Sequence, residues 1–293
     1  MTDLASMIRA KQAPDCQSDR LAPLIIELKS RFGNNLAAIG FYGSCRVSHD
    51  IKEGLVDLLV LVDDYQKAHV GPVGSWLNAM LPPNVYFLEL DHLKCKYALI
   101  SMTQFQQKMH SRIDHYFWAR FAQPFSVVYA RTAEIESTLV ATQIQALTTF
   151  FTNLVALQGA PREPLSFWSD GLQNTYACDL RPESPAHSRT VVARDPEFWS
   201  DVTQALMLEC PEAQISTSGR RMDWRVRRVV GKLLNLARLL KAAGTFTDGI
   251  DYLAWKVERH SGVRVEPADW MRRYPRLGGL KLAFGLWRQG GFR

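Results

Sequence analysis

The sequence predicts a mixed α/β (α+β) domain followed by a mostly helical second domain. Two observations support this. Up to about residue 130, short apolar runs typical of strands alternate with stretches in which apolar residues recur at helical spacing. Beyond that point the helical spacing dominates. The chain has 293 residues, enough for two domains, and we divide it into 1–130, 131–245 and a basic C-terminal region 246–293.

The individual elements follow from apolar periodicity and from Gly and Pro breaks. The predicted strands are Leu36–Tyr42, Leu55–Val62, Val85–Leu90, Tyr97–Met102 and Phe125–Ala130. The predicted helices include Leu21–Phe32, Gln104–Phe121, Thr132–Leu157 and Arg225–Ala243. We expect the third and fourth strands to form a hairpin.

The composition indicates a soluble globular protein, with 47% apolar and 22% charged residues. Its net charge of +6 suits phosphate-bearing partners such as nucleotides, nucleic acid or an anionic membrane surface. Five cysteines without a C-x-x-C pair indicate neither a zinc site nor a disulfide framework, so we expect a reducing compartment. We find neither a secretory signal nor a membrane-spanning window, and any membrane contact should be peripheral.

The most informative stretch is Ile39–Asp64. A strand enters the turn Gly43-Ser44, a polar loop follows, and the next strand carries one embedded acid, Asp57. Such a turn offers backbone N–H groups and a hydroxyl to nucleotide phosphates, and an acid facing the same cleft can hold Mg²⁺. Nucleotidyl transfer needs this combination, although an ordinary strand turn has the same sequence features.

A second metal ligand is not obvious, because Leu55 occupies the position two residues before Asp57, where an acid-x-acid pair would have its first member. The candidates for that ligand are Glu53, Glu89 and Asp91. Lys52, in the polar loop, is a candidate phosphate contact. The seven histidines show no metal-ligand spacing.

Two basic segments close the chain. Arg225–Ala243 places aliphatic residues, Val229 and Leu233 among them, on one helical stripe, with Arg and Lys on much of the rest. This stripe suits either core packing or membrane insertion, and of the two we expect core packing. The final segment interleaves basic and aromatic residues, which suits a membrane interface. Its candidate membrane contacts are Arg272, Arg273, Arg276, Lys281, Trp287 and Arg288.

Several fragments, in order from about residue 30 to 260, carry a family resemblance. They include Phe41-Tyr42-Gly43-Ser44, Val56-Asp57-Leu58-Leu59, Lys96-Tyr97-Ala98-Leu99-Ile100-Ser101, Ala119-Arg120-Phe121 and Asp179-Leu180-Arg181. With these the chain resembles the nucleotidyltransferase superfamily, and more specifically the soluble phosphatidate cytidylyltransferases of the mitochondrial translocator assembly and maintenance family.

The resemblance implies a peripheral enzyme that uses CTP, phosphatidic acid and Mg²⁺ to make CDP-diacylglycerol and pyrophosphate. It implies Asp57, Lys96 and Arg120 as catalytic residues and Asp57 as a metal ligand, while Glu53 and Glu89 are candidate metal ligands from their position in the sequence. It implies nucleotide contacts from Gly43, Ser44, Tyr97, Asp179 and Arg181, and the loop residue Lys52 is a further candidate. The expected location is the cytoplasm, at the inner face of a membrane, or the matrix side in an organelle. Nucleic acid is not an expected partner, whereas a homo-oligomer is compatible with the resemblance.

Two other functions fit the same residues. One is a nucleotidyltransferase that acts on RNA or protein, which the basic tail would serve. The other is a catalytically silent membrane adaptor, which the missing acid at Leu55 allows.

Overall fold

A computed structural model describes residues 3–14, 18–48, 54–68, 71–90, 93–180, 184–210, 218–242 and 268–273, together with 278 and 281. The strands are β1 (Leu36–Tyr42), β2 (Leu55–Val62), β3 (Asn84–Leu90), β4 (Leu93–Ser101) and β5 (Ser126–Ala130). The first helices are α1 (Leu4–Gln12), α2 (Ala22–Phe32), α3 (Ser44–Ser48), α4 (Gly71–Met80), α5 (Met102–Met109) and α6 (Tyr116–Phe121). The later helices are α7 (Ala133–Gln158), α8 (Pro164–Tyr176), α9 (Pro185–Ala193), α10 (Pro196–Glu209), α11 (Ser218–Ala242) and α12 (Asp269–Arg273).

The five strands form one mixed sheet in the order β3-β4-β2-β1-β5. β2 and β4 run parallel, and the other neighbours run antiparallel, including the predicted β3–β4 hairpin. All five strands lie within the first 130 residues, among six helices, and the elements described beyond residue 130 are helices. The predicted α/β fold with a mostly helical second part is therefore confirmed.

Each face of the sheet contributes to a different hydrophobic cluster, because successive side chains along a strand point to opposite sides. One cluster joins alternate residues such as Leu58 and Tyr97 to helix α2. The other joins Leu59 and Ile100 to the helices, including α6 and α7. The sheet therefore packs against α2 on one face and against the large helical layer on the other.

Helix α7 lies in the middle of the helical layer. Among the described residues it is the one helix long and apolar enough to cross a bilayer, but 67% of that apolar window is buried. Phe150, Phe151 and Leu154 are fully buried among aromatic side chains from neighbouring helices. Its apolar character is accounted for by this position in the core.

The predicted single helix Gln104–Phe121 is wrong, since it is divided into α5 and α6. Local hydrogen bonds stabilise the break: the hydroxyl of Ser111 accepts from the backbone N–H of Asp114 at 3.0 Å, and its carbonyl accepts from the indole of Trp118 at 2.9 Å. Short polar side chains that bond nearby backbone compete with helix formation in this way. The break lets α6 begin at Tyr116, which brings Arg120 of α6 close to Asp57, near the start of β2.

The expectation that the aliphatic stripe of α11 packs in the core is correct only in part, since Val230, Leu234 and Leu240 are half-buried but other members are exposed. Val229 and Leu233 are 63% and 61% exposed, whereas Arg227 and Arg238 are buried. Arg238 donates to the carbonyl of Pro82 at 2.9 Å and to the carboxylate of Asp114 at 2.6 Å. Because these two buried arginines have partners of this kind, α11 buries them while part of its aliphatic stripe stays exposed.

Candidate active site

The site is centred on Asp57, whose neighbours are set by strand register. Asp57 lies opposite Tyr42 of β1 and opposite Lys96 of β4, so the three residues form one row on the helical face of the sheet. The ammonium of Lys96 lies 2.6 Å from Oδ1 of Asp57, with side chains 23% and 18% exposed. Two of the predicted catalytic residues are therefore an ion pair at the edge of the core.

Gly43 closes β1 directly against Asp57. Its φ of 85° is in the left-handed region that favours glycine, and a β-carbon there would lie 2.6 Å from Oδ2 of Asp57. Ser44 follows at an exposed position and begins α3. The predicted turn and the predicted acid are therefore adjacent, and glycine permits that contact.

Arg120 of α6 provides a second cation near Asp57. Its guanidinium lies 5.9 Å from the ring of Tyr42 and 4.7 Å from the ring of Tyr116. Burial alone would lower the pKa of Arg120, but Tyr116, Tyr42, Asp57 and Asp179 together raise it above its ordinary value. Arg120 therefore stays protonated and holds a fixed positive charge between two carboxylates.

Tyr42 is a further polar group in this row. Burial, and then the nearby Asp57 carboxylate, raise the pKa of Tyr42 to about 12. The ring of Phe121 packs edge-on against it, with centroids 5.4 Å apart. Tyr42 therefore remains a neutral phenol at physiological pH and is held in place by α6.

Asp179 reaches the site from the turn after α8. Oδ1 of Asp179 accepts a hydrogen bond of 2.6 Å from the side-chain amide of Asn235 and lies 3.4 Å from Nε2 of the buried His115. Helix α11 comes this close because Gly231 has no side chain. A β-carbon there would lie 2.8 Å from the carbonyl oxygen of Cys178 and 3.0 Å from the ring of His115.

The predicted nucleotide contact Tyr97 does not lie in this site. It follows Lys96 on the same strand and therefore points to the opposite face. There it stacks on Tyr86, with centroids 5.2 Å apart, and accepts a hydrogen bond of 3.0 Å from Arg31. Tyr97 is a core residue on the α2 side of the sheet.

The candidate metal ligand Glu89 is on the same face as Asp57 but two strands away. It pairs with Lys94, whose neighbour on β2 is Leu55 rather than Asp57. From the spacing of strands, the two Cα atoms are roughly 12 Å apart. A direct contact between these two carboxylates is not part of the described arrangement, and metal binding by Glu89 stays a prediction.

Other candidates lie outside the described residues, namely Lys52, Glu53, Asp91, Arg181, Arg276, Trp287 and Arg288. For Arg272 and Arg273 only the backbone, in α12, is described. The ammonium of Lys281 lies 5.2 Å from the ring centroid of Trp270. The predicted membrane contact through this segment stays a prediction.

The described residues alone do not fit a magnesium site. No group of three or more His, Cys, Asp or Glu side chains that could hold a metal ion occurs among them. Asp57 already has an ammonium partner, and Mg²⁺ in phosphoryl-transfer sites needs carboxylates together with phosphate oxygens. We therefore derive no chemical step through a metal.

The sequence-based prediction missed four residues that shape this site: Tyr42, Tyr116, His115 and Asn235. The position of Tyr42 next to Gly43 is the one available signal, since the residue before the turn faces the same way as Asp57 when the two strands pair. His115 and Asn235 meet Asp179 across 64 and 56 residues of sequence, respectively. No local pattern predicts such contacts.

Comparisons with known proteins add little to this picture. No protein-family model matches the chain, and no curated protein matches it. A similar solved structure is that of a nucleotidyltransferase-like protein from Exiguobacterium sibiricum, with 13% sequence identity over 93% of this chain and 91% of that chain. The TM-score of 0.28 is too low to carry an argument, so the function is inferred from the residues of the site.

Proposed function

We propose that the chain is a nucleotidyltransferase that transfers CMP from CTP to phosphatidic acid, with pyrophosphate as leaving group. The observation that carries the proposal is the contact of Gly43 with Asp57, next to the Asp57–Lys96 pair. A glycine turn suited to phosphate, an acid and a cation meet there on the central strands of the sheet. The choice of CTP and phosphatidic acid comes from the family resemblance of the sequence.

In this proposal the backbone N–H groups of Gly43 and Ser44 hold phosphate oxygens of the nucleotide. Lys96 and Arg120 neutralise the negative charge that develops on the transferred phosphoryl group and on the leaving pyrophosphate. The ammonium of Lys96 has three N–H donors, so it can bond a phosphate oxygen while it stays paired with Asp57. Asp179 adds negative charge near Arg120, with a smaller effect than that of Asp57.

Charge balance is the reason to keep Mg²⁺ in the proposal. Lys96 and Arg120 are matched by Asp57 and Asp179, so this cluster has no excess positive charge for a triphosphate. Mg²⁺ bound with the nucleotide would supply it. The ion would need a carboxylate beyond the described residues, and Glu53 is the candidate for that ligand.

The direct test is incubation of the purified protein with CTP, Mg²⁺ and phosphatidic acid in detergent micelles, with detection of pyrophosphate and CDP-diacylglycerol. We expect both products from the wild type and none from Asp57→Asn. Asp64→Asn, just beyond the end of the same strand, is the matched control and should retain activity. A folded protein that binds CTP but forms neither product would refute the proposal.

A second candidate is a nucleotide-binding adaptor that performs no transfer. It is favoured by the Asp57–Lys96 pair, which already satisfies the acid, and by the lack of a metal-binding group among the described residues. Calorimetric titration with CTP, with and without Mg²⁺, separates the two. The enzyme should bind CTP more tightly with Mg²⁺, whereas the adaptor should bind it equally in both conditions.

A further inference from the structure

The outward face of α11 is an apolar strip. We call it the α11 strip, formed by Val226, Val229, Leu233 and Leu236. These residues recur every three or four positions and therefore lie along one side of the helix. Val229 and Leu233 are more than 60% exposed, and the other two more than 35%. Four neighbouring exposed aliphatic side chains indicate an interaction surface more than isolated ones would.

The opposite face of α11 prevents the helix from turning these residues inward. Buried Arg227 donates to the backbone carbonyl of Arg112 at 2.9 and 2.6 Å and to the side chain of Asn153 at 2.7 Å. Trp224 donates to the carbonyl of Asn153 at 3.0 Å. A rotation that buried Leu233 would leave these polar groups without partners, at a cost of roughly 1–3 kcal/mol for each. The exposure of the α11 strip is therefore fixed by the fold.

The charges beside the α11 strip indicate what it binds. Arg225, Arg228 and Lys232 are exposed along its border. Asp223 is the one acidic residue of α11, whose whole length is among the described residues, and it is buried and paired with Arg112. Aliphatic side chains bordered by cations complement the surface of a bilayer that contains anionic lipids. Two copies of the same surface would instead bring their cations together.

We propose that the α11 strip binds an anionic lipid bilayer and thereby places the site next to its lipid acceptor. This inference rests on the proposed function for the identity of the acceptor. The inner face of the same helix bonds Asp179 through Asn235. Since a helix with its side chains is about 10 Å across, a bilayer against the outer face lies roughly that far from Asp179.

The test is co-sedimentation of the full chain with vesicles, scored without CTP. We expect the wild type to bind vesicles of phosphatidylcholine with phosphatidylglycerol and to bind pure phosphatidylcholine at least tenfold more weakly. The double variant Val229→Ser/Leu233→Ser should lose at least tenfold in binding to the anionic vesicles. Arg225→Glu/Lys232→Glu should lose a similar factor, more strongly at low salt.

Matched controls keep the test specific. Ile26→Ser changes an aliphatic residue of α2 that is 67% exposed, and Arg9→Glu/Lys67→Glu reverses two exposed cations elsewhere. Both should bind vesicles as the wild type does. Circular dichroism and thermal unfolding establish that each variant is folded, and the serine substitutions should barely change stability because both residues are exposed.

Three results would overturn the proposal. The first is equal vesicle binding by the wild type and the serine variant. The second is that the wild type is a dimer in solution and the serine variant a monomer. The third is that the charge variant loses RNA binding but keeps vesicle binding. Failure of the proposed transferase activity is a separate outcome, since the vesicle assay contains no nucleotide. A protein that binds vesicles through the α11 strip but makes no CDP-diacylglycerol would refute the transferase activity without contradicting membrane binding by the α11 strip.

Discussion

Gly43 lies directly against Asp57, so that a β-carbon added to Gly43 would be only 2.6 Å from the carboxylate oxygen Oδ2. Gly43→Ala should therefore displace Asp57, in addition to straining a backbone with φ of 85°. The strain alone costs about 1–2 kcal/mol. We expect calorimetry to show CTP affinity at least tenfold weaker than that of the wild type.

Gly159→Ala is the control for that substitution. Gly159 has nearly the same φ, 86°, and no atom lies within 4 Å of a β-carbon there. In urea unfolding, the free energy of unfolding of Gly159→Ala should fall by the strain contribution alone, about 1–2 kcal/mol. The variant should bind CTP as the wild type does. If both variants bound CTP equally well, the contact between Gly43 and Asp57 would have no part in nucleotide binding.

A second prediction concerns the partly buried ion pair of Asp57 and Lys96. Lys96→Met leaves a carboxylate that is only 18% exposed without its cation, and we expect the free energy of unfolding to fall by roughly 1–3 kcal/mol. Adding Asp57→Asn to Lys96→Met should recover part of this loss. A double-mutant cycle from urea unfolding measures the coupling.

The exposed pair Glu27–Arg31, one helical turn apart on α2, serves as the reference cycle. Pairs of this kind contribute about 0.3–0.5 kcal/mol. A coupling between Asp57 and Lys96 no larger than that would mean that solvent screens the pair and that it does not preorganise the site. Transferase activity should be lost in both single variants, whatever the coupling.

How much of the site could be predicted from the sequence depends on how far apart in the sequence the contacting residues lie. β1, Gly43 and β2 were predicted closely because short continuous apolar runs and turn chemistry are local signals. The contact of Asp57 with Lys96 needed the parallel pairing of β2 and β4, which no short pattern specifies. Tyr97 was misassigned because one residue along a strand reverses the face.

The outward orientation of part of the α11 stripe was the less favoured alternative for a related reason. Periodicity identified two faces of this helix, but hydrophobicity alone favoured the core over the membrane for the aliphatic face. Buried partners for Arg227 and Arg238, the carbonyls of Arg112 and Pro82, come from segments more than 100 residues away. Tertiary hydrogen bonds of this kind can outweigh the amphipathic rule, and a single sequence does not reveal them.

A third prediction concerns stability at acid pH. Burial alone would raise the pKa of Asp114, but Arg238 at 2.6 Å and Lys108 at 3.3 Å lower it below its ordinary value. The ionised carboxylate therefore stabilises the folded state above the unfolded-state pKa, near 3.8. This contribution is lost as pH falls through the lower, folded-state pKa.

Asp114→Asn should remove that part of the pH dependence and destabilise the protein at neutral pH by roughly 2–4 kcal/mol, because Arg238 stays buried without a charged partner. Thermal unfolding between pH 2.5 and 7 measures both effects. Asp63→Asn breaks an exposed pair with Arg131 and should change stability by less than about 1 kcal/mol. Equal losses in the two variants would contradict a special role for the buried pair.

The final prediction separates positioning of Asp179 from simple packing of α11. Asn235 donates to Asp179 at 2.6 Å, so Asn235→Ala should raise the KM for CTP several-fold and reduce stability by about 1 kcal/mol. Asn235→Asp should be more damaging to activity, since it places a second carboxylate against the first.

Asn174→Ala provides the control, because the side chain of Asn174 bonds Arg228 and the backbone of Asp170 rather than Asp179. It should leave KM unchanged. A merely structural role for Asn235 would lower stability in the alanine and aspartate variants without raising KM. A KM for CTP that is higher in Asn235→Asp than in Asn235→Ala would instead mean that the charge and orientation of Asp179 act on the nucleotide through Arg120.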